Sequence, residues 1–139
     1  MKSTTNDTVA AVMADIFRSV EERDNALFDS VTDEAVELHW PPELPYGGVA
    51  RGRNPGRPGW GTTWNPLQPT AADRRLDPRL VATTDEEAVV LWHQRGVAAD
   101  GRRIDTPVLG LYRVIKGKLV RGQMFYFDPR AVLEFLAGS

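Results

Sequence analysis

Glu37 and His39 are two residues apart, with Ala35, Val36 and Leu38 mixed among them. In an extended strand that spacing puts both side chains on one face. A carboxylate beside an imidazole orients the ring and favours its protonated form. The pair is therefore a candidate general acid poised near neutrality; a solvent-facing pair at a strand edge is the alternative. The second histidine, His93, lies inside the apolar run AVVLWHQRG. Alternation sets Val89, Leu91, His93 and Arg95 on one face and Val90, Trp92 and Gln94 on the other. His93 reads as a general acid or base in a pocket, or as a buried, hydrogen-bonded structural histidine. Two histidines without a clear third ligand predict no metal site. Tyr46 and Tyr126 carry phenols able to donate to a developing oxyanion. Arg95 is placed to hold a substrate anion or to solubilise a rim. Trp60 and Trp64, like Trp40 and Trp92, are core and lid material or the walls of an aromatic pocket for a flat apolar molecule.

The bulk of the chain narrows the field. One domain, 1–139, suits 139 residues. Hydrophobic residues make up 42% and charged residues 26%, the balance of an ordinary globular protein. A formal charge of −2 with no basic face argues against nucleic acid as partner. No apolar run approaches the length of a membrane span. The N-terminal MKSTTNDTVAAVMADIF lacks a signal-peptide core because Asp7 and Asp15 interrupt it. Cytoplasmic location is the default expectation. The absence of cysteine removes disulfides, thiolate catalysis and Cys-ligated zinc. No nucleophile motif, dinucleotide fingerprint or phosphate loop is present, and GRNPGRPG lacks the phosphate-loop spacing. No cofactor is expected.

These residues need elements to position them. Val9, Val12, Met13, Ile16, Phe17 and Val20 recur at helical spacing, which predicts a helix over 5–22 with Thr5, Asn6 and Asp7 as capping candidates. Arg23-Asp24-Asn25 breaks it, and a short helix with Ala26, Leu27 and Val31 follows. Residues 34–40 read as a strand. Residues 41–69 hold seven of the ten prolines and six of the twelve glycines. They read as a long excursion over a site or an irregular short helix around Trp60 and Trp64. Strands are predicted over 79–83, 88–96, 103–115 and 118–127, with Asp100-Gly101 and Lys116-Gly117 as hairpin turns. Asp128-Pro129 starts a last helix. Helices first and strands afterwards predict an α+β fold, whose antiparallel sheet can curl around a pocket.

The order of these parts carries a resemblance. A strand ends in W-P-x-x-x-P-Y-G-G-x-x-x-G-R, a D-G-R turn follows, and G-K-L-V-R-G-Q-M-F-Y-F-D precedes the final helix. Over nearly the whole chain this resembles the SnoaL-like branch of the nuclear transport factor 2-like superfamily. That resemblance implies a cone-shaped, curved antiparallel sheet with helices packed on its concave face, commonly as a homodimer through the outer sheet face. Limonene epoxide hydrolase, one member, places its Tyr, Asn and Arg at Glu37, His39 and Leu91, its first Asp at His93 and its second near Met124 or Phe125. The ketosteroid isomerase set would fall near Ile16, Trp40 and Gly110, which excludes that chemistry. The same pattern turns Thr106, Val108 and Gly110 toward the pocket and Asp105 away. An extra residue in RGQMFYFD reads as a bulge that puts Gln123 or Met124 at the pocket wall.

The resulting expectation is a cofactor-independent acid–base enzyme on an apolar oxygenated metabolite: a polyketide-type cyclase, an epoxide-opening cyclase or an epoxide hydrolase. His93 is the proton-transfer group in that reading, with Glu37 and His39 coupled across the cavity. Tyr46 and Gln123 orient substrate oxygens, and Trp60 and Trp64 close over the substrate. The alternative is a non-catalytic binding or assembly protein of the same fold.

Overall fold

The structure, a computed structural model, describes residues 4–53 and 55–138, with side chains from Thr8 onward. The capping candidates Thr5, Asn6 and Asp7 lie outside the described side chains. Helix α1, Thr4–Glu22, buries Val9, Val12, Met13, Ile16 and Phe17, the stripe its spacing predicts. It ends where Arg23 takes a left-handed backbone (φ 54). The Asp24 N–H donates to the Ser19 carbonyl and the Arg23 N–H to that of Val20, a Schellman stop with an arginine where glycine is usual. Asp24 then caps α2, Asn25–Ser30, by accepting from the Leu27 N–H at 3.0 Å.

Six strands form one curved sheet in the order β2-β1-β6-β5-β4-β3. They are β1 Thr32–Trp40, β2 Gly48–Arg51, β3 Arg79–Thr83, β4 Glu87–Val97, β5 Arg103–Ile115 and β6 Lys118–Tyr126. The expected α+β class holds. All pairs are antiparallel except β1 with β6, so the sheet is mixed. The Pro/Gly-rich excursion resolves into β2, helix α3 (Trp60–Trp64), a 3-10 turn (Asn65–Leu67) and helix α4 (Ala71–Arg74). Asp128 caps the last helix, α5 (Pro129–Ala137), at the Ala131 N–H. The helices and the inner face of the sheet share one hydrophobic core. No described helix is long and apolar enough to cross a membrane.

Two hairpin loops decide which side chains face that core. Lys116-Gly117 is a two-residue turn with both φ positive (51 and 77), the expected primed geometry. The β4–β5 loop differs. Ala98 N–H donates to the Arg102 carbonyl, so three residues, Ala99 to Gly101, make the turn, and Gly101 takes φ 91. Three-residue loops of this kind end in a left-handed residue. A two-residue Asp100-Gly101 turn would pair odd positions with even ones. The three-residue loop pairs Gln94 with Thr106, Trp92 with Val108 and Val90 with Gly110. The inner face therefore carries Val90, Trp92 and Gln94. Leu91, His93 and Arg95 lie on the outer face, opposite to the expectation that they line a pocket. The β6 bulge falls at Val120, just ahead of the predicted stretch: Arg121 pairs with Arg113 and Leu119 with Val114.

Candidate functional site

A cavity of about 750 Å³ opens between α1, α2, the inner face of the sheet and the 41–69 excursion. Its deep wall is apolar: Phe17 from α1, Val36 from β1, Trp92 and Tyr112 from the central strands, and Met124 from β6. Leu38, Trp40 and Trp60 continue the wall toward solvent. The volume suits a small organic molecule. Strand parity explains the wall, because Val36, Leu38 and Trp40 share the inner face of β1.

Behind this wall runs a hydrogen-bond relay whose direction the chemistry fixes. Indole N–H groups only donate. Trp60 Nε1 lies 2.6 Å from the Gln94 Oε1, and Trp64 Nε1 lies 3.0 Å from the Tyr46 hydroxyl. Gln94 must therefore turn its carbonyl, not its amide nitrogen, toward Trp60. Tyr126 donates its hydroxyl hydrogen to the same Oε1 at 3.1 Å. That leaves Tyr46 to donate to Tyr126 across 2.7 Å. The chain reads Trp64 to Tyr46 to Tyr126 to Gln94, with Trp60 arriving from the other side. The Gln94 side chain is fully buried and its Nε2 has no partner among the described residues. The relay holds two cavity-lining rings, Tyr46 and Trp60, in place.

Burial pushes the Tyr46 phenol up to about 12, offset in part by its bonds to Tyr126 and Trp64. Burial also raises Tyr112 and Tyr126 well above the ordinary tyrosine value; the Trp92 indole N–H beside Tyr112 offsets part of its shift. All three phenols are protonated at neutral pH, so they act as donors and not as bases. Tyr112 lies flat over Gly110, where an added Cβ would fall 2.2 Å from its hydroxyl oxygen. Glycine at 110 is what lets this phenol occupy the cavity wall.

The cavity mouth is cationic. Arg23, Arg53 and Arg57 line it against one carboxylate, Asp29. Arg23, held in its left-handed backbone, donates Nη2 to the carbonyls of Asn65 and Gln68, both at 3.0 Å. Arg57 donates to the Gly47 carbonyl at 3.3 Å.

Of the residues expected at the site, Tyr46, Trp60 and Met124 line the cavity. Trp64 is buried behind it, in the relay and stacked on Phe135 with ring centres 5.9 Å apart. Thr106 and Val108 are buried on the inner face as expected, but outside the cavity lining. The others are displaced to the outer face. Glu37 and His39 do touch, at 3.1 Å, but β1 directs them away from the cavity. The His39 bond is the main cause of the lowered Glu37 carboxyl, with Arg51 and Arg121 adding to it. His93 Nδ1 meets Asp105 Oδ1 at 2.8 Å, and Arg95 bridges Asp105 (3.0 Å) to Asp77 (2.6 Å). That cluster fastens β4 to β5 and to the turn before β3. Gln123 pairs with His39 and Leu111 in the outer register, and Phe125 is 51% exposed there. Leu91 pairs with Leu109 beside it. Reasoning from sequence missed Gln94, Tyr112 and Arg53, while Trp92, offered there as core or as an aromatic wall, does line the cavity. Parity relayed through the three-residue loop would have found Gln94. Among the described residues no group of three or more His, Asp or Glu side chains is placed to hold a metal ion.

A curved sheet with helices on one face and a cavity beneath them is the architecture of the nuclear transport factor 2-like class. Within it, the chain belongs to the SnoaL-like domain family, whose model matches residues 13–122. Solved structures agree on the fold. Bal32a, from a soil-derived mobile gene cassette, is 16% identical with TM-score 0.79, over 95% of this chain and 98% of that one. TerC, co-crystallised with polyporic acid, is 16% identical with TM-score 0.78, over 94% and 98%. IdmH of Streptomyces antibioticus, described as a candidate polyketide cyclase, is 14% identical with TM-score 0.70, over 94% and 98%. No curated protein matches the chain.

Proposed function

We propose that this protein is a cofactor-independent cyclase or isomerase acting on an apolar, oxygenated small metabolite of the polyketide type. The observation that carries the reading is the 750 Å³ cavity, walled by aromatic rings and furnished with neutral donors. Among the described residues its lining holds no histidine and a single carboxylate, Asp29, at the exposed mouth. Hydrolysis of an epoxide needs a base on water, and no residue of the deep wall supplies one. Aldol closure of a substrate that enters already ionised as its acidic enol needs no base from the wall: the enolate carbon bonds to the acceptor carbonyl carbon, and the C=O π pair passes to that oxygen as an alkoxide that takes a proton. The reacting carbons must be held at near-attack distance, and the developing alkoxide oxygen must be met by a donor. Rigid walls supply the first. The Tyr112 phenol, with the Trp92 indole N–H beside it, supplies the second.

The test is product formation from flexible polyketone substrates, followed by mass spectrometry. Tyr112→Phe is expected to lower kcat by about a hundredfold while ligand affinity stays within a few fold. His93→Ala and His39→Ala are expected to retain turnover within about twofold, because both residues face outward. Full turnover by Tyr112→Phe, or its loss in His93→Ala, sinks this mechanism. The missing base in the deep wall also favours a second reading, a binding protein of the same fold. In that case native mass spectrometry shows a retained ligand and no substrate is turned over. The proposal extends to assembly: two copies associate through the outer face of the sheet, where Leu111, Phe125 and Phe127 are exposed.

A further inference from the structure

We infer that the molecule this cavity accepts is an anion: an apolar ring system bearing a carboxylate or an acidic enol, seated with its charge on Arg53. The inference rests on the reading of the cavity as the binding site and adds the chemistry of its ligand.

Buried polar groups in folded proteins are almost always paired, so the unpaired ones are informative. Four buried side-chain atoms lack a partner among the described residues: Thr32 Oγ1, Arg53 Nε, Trp92 Nε1 and Gln94 Nε2. Three of the four are nitrogens that only donate. Two of those, on Arg53 and Trp92, belong to residues lining the same cavity; the Trp92 N–H has the Tyr112 hydroxyl beside it, which leaves Arg53 as the donor the wall does not provide for. A site short of acceptors, and not of donors, calls for an oxygen-bearing ligand.

Charge sharpens this to an anion. The chain as a whole is at −2, yet the cavity mouth sets three arginines against one aspartate. Arg23 and Arg57 already spend donors on backbone carbonyls. Arg53 is different: its Nε is buried without a partner, and no carboxylate lies within ion-pair distance among the described residues. A buried guanidinium nitrogen left unpaired is costly, and a ligand carboxylate docked on the open Nη edge of the same guanidinium offsets that cost with charge-assisted bonds. The loop is built to present it. Gly52 and Gly56 both take positive φ (82 and 74), bending the chain so that Arg53 and Arg57 reach the mouth. The glycine- and arginine-rich stretch that fits no phosphate loop thus acquires a role. The excess of positive charge at the mouth of a low-dielectric cleft also draws the anion inward.

The test uses a matched pair of probes, anthracene-2-carboxylate and its neutral carboxamide. Energy transfer from the cavity tryptophans Trp40, Trp60 and Trp92 reports their binding. The wild type is expected to bind the carboxylate about tenfold or more tightly than the amide, a preference that shrinks as salt rises. Arg53→Gln is expected to bind the two probes equally, with the amide affinity of the wild type retained. Arg53→Lys is expected to restore part of the preference. Circular dichroism melts establish that each variant is folded. Equal binding of both probes by the wild type overturns the anion inference and leaves the cavity reading intact. A preference that survives Arg53→Gln also overturns it. Binding of neither probe removes the cavity reading itself, and this inference with it.

Discussion

Gln94 shows how one side chain organises a wall it does not itself line. Its carbonyl oxygen takes the Trp60 indole N–H and the Tyr126 hydroxyl, and through Tyr126 it fixes Tyr46 and Trp64. Apolar replacement of the same size strips the acceptor from two donors at once. Unpaired buried donors cost about 1–3 kcal/mol each. Because the substitution also removes the unpaired Nε2, Gln94→Leu is expected to lose a net of about 1–3 kcal/mol in urea unfolding and to broaden the environment of Trp60, seen as a shifted emission maximum. Trp60→Phe removes one donor and leaves the acceptor satisfied by Tyr126, so a loss of about 1 kcal/mol is expected beyond packing. A Gln94→Leu protein as stable as the wild type would show that the relay orders the wall without stabilising it.

At the scale of elements, short segments are held by single carboxylates. Helix α4 has only four residues, too few to sustain itself. Asp73 anchors it by accepting from the Thr70 hydroxyl (2.8 Å), the Thr70 N–H (3.2 Å) and Arg103 on β5 (3.2 Å). The Thr70 hydroxyl bond is the main reason its carboxyl sits below the ordinary value of 3.8, against the opposing effect of burial. A depressed folded pKa means the stabilisation is complete above that ordinary value and is lost as pH falls through the lower folded one. Thermal midpoints are expected to be flat from neutrality to about pH 5 and to drop below about pH 4. Asp73→Asn is expected to melt lower at neutrality and to lose less on acidification. Parallel acid curves for the two proteins would take Asp73 out of the account.

The elements were largely legible from the chain, because helical stripes, the Lys116-Gly117 turn and the Asp128-Pro129 start are local signals. The faces of β4 were not. Val89 and Leu91 are as apolar as Val90 and Trp92, so alternation alone names no inner side. The answer sat in one residue of loop length: Ala99 joins Asp100-Gly101 in the turn, and every side chain of β4 changes face relative to a two-residue turn. Glu37 and His39 are expected in the cavity from the resemblance alone, and β1 instead turns Val36, Leu38 and Trp40 inward. Arg53 was hidden for another reason, since a motif that fits no known spacing gives no hint of where its loop lands.

On the scale of the whole molecule, one face of the sheet is covered by helices and the other is bare. Leu111, Phe125 and Phe127 on that bare face are 40%, 51% and 62% exposed. Leu91, Leu109 and Phe125 sit side by side across β4, β5 and β6. Charges frame this stripe with both signs: the Arg95 cluster with Asp77 and Asp105, and Glu37 with Arg51. A patch that is apolar at its centre and carries both signs of charge at its rim has the parts from which a two-fold interface is made. A second copy of the chain is the occupant proposed on that ground. Light scattering behind size exclusion is expected to give twice the chain mass of 15.5 kDa for the wild type. Phe125→Glu buries a charge opposite its own copy and is expected to run as a monomer. It should still bind the anthracene carboxylate, because Phe125 faces away from the cavity. A monomeric wild type at micromolar concentration refutes the interface, and a Phe125→Glu dimer moves it elsewhere on the surface.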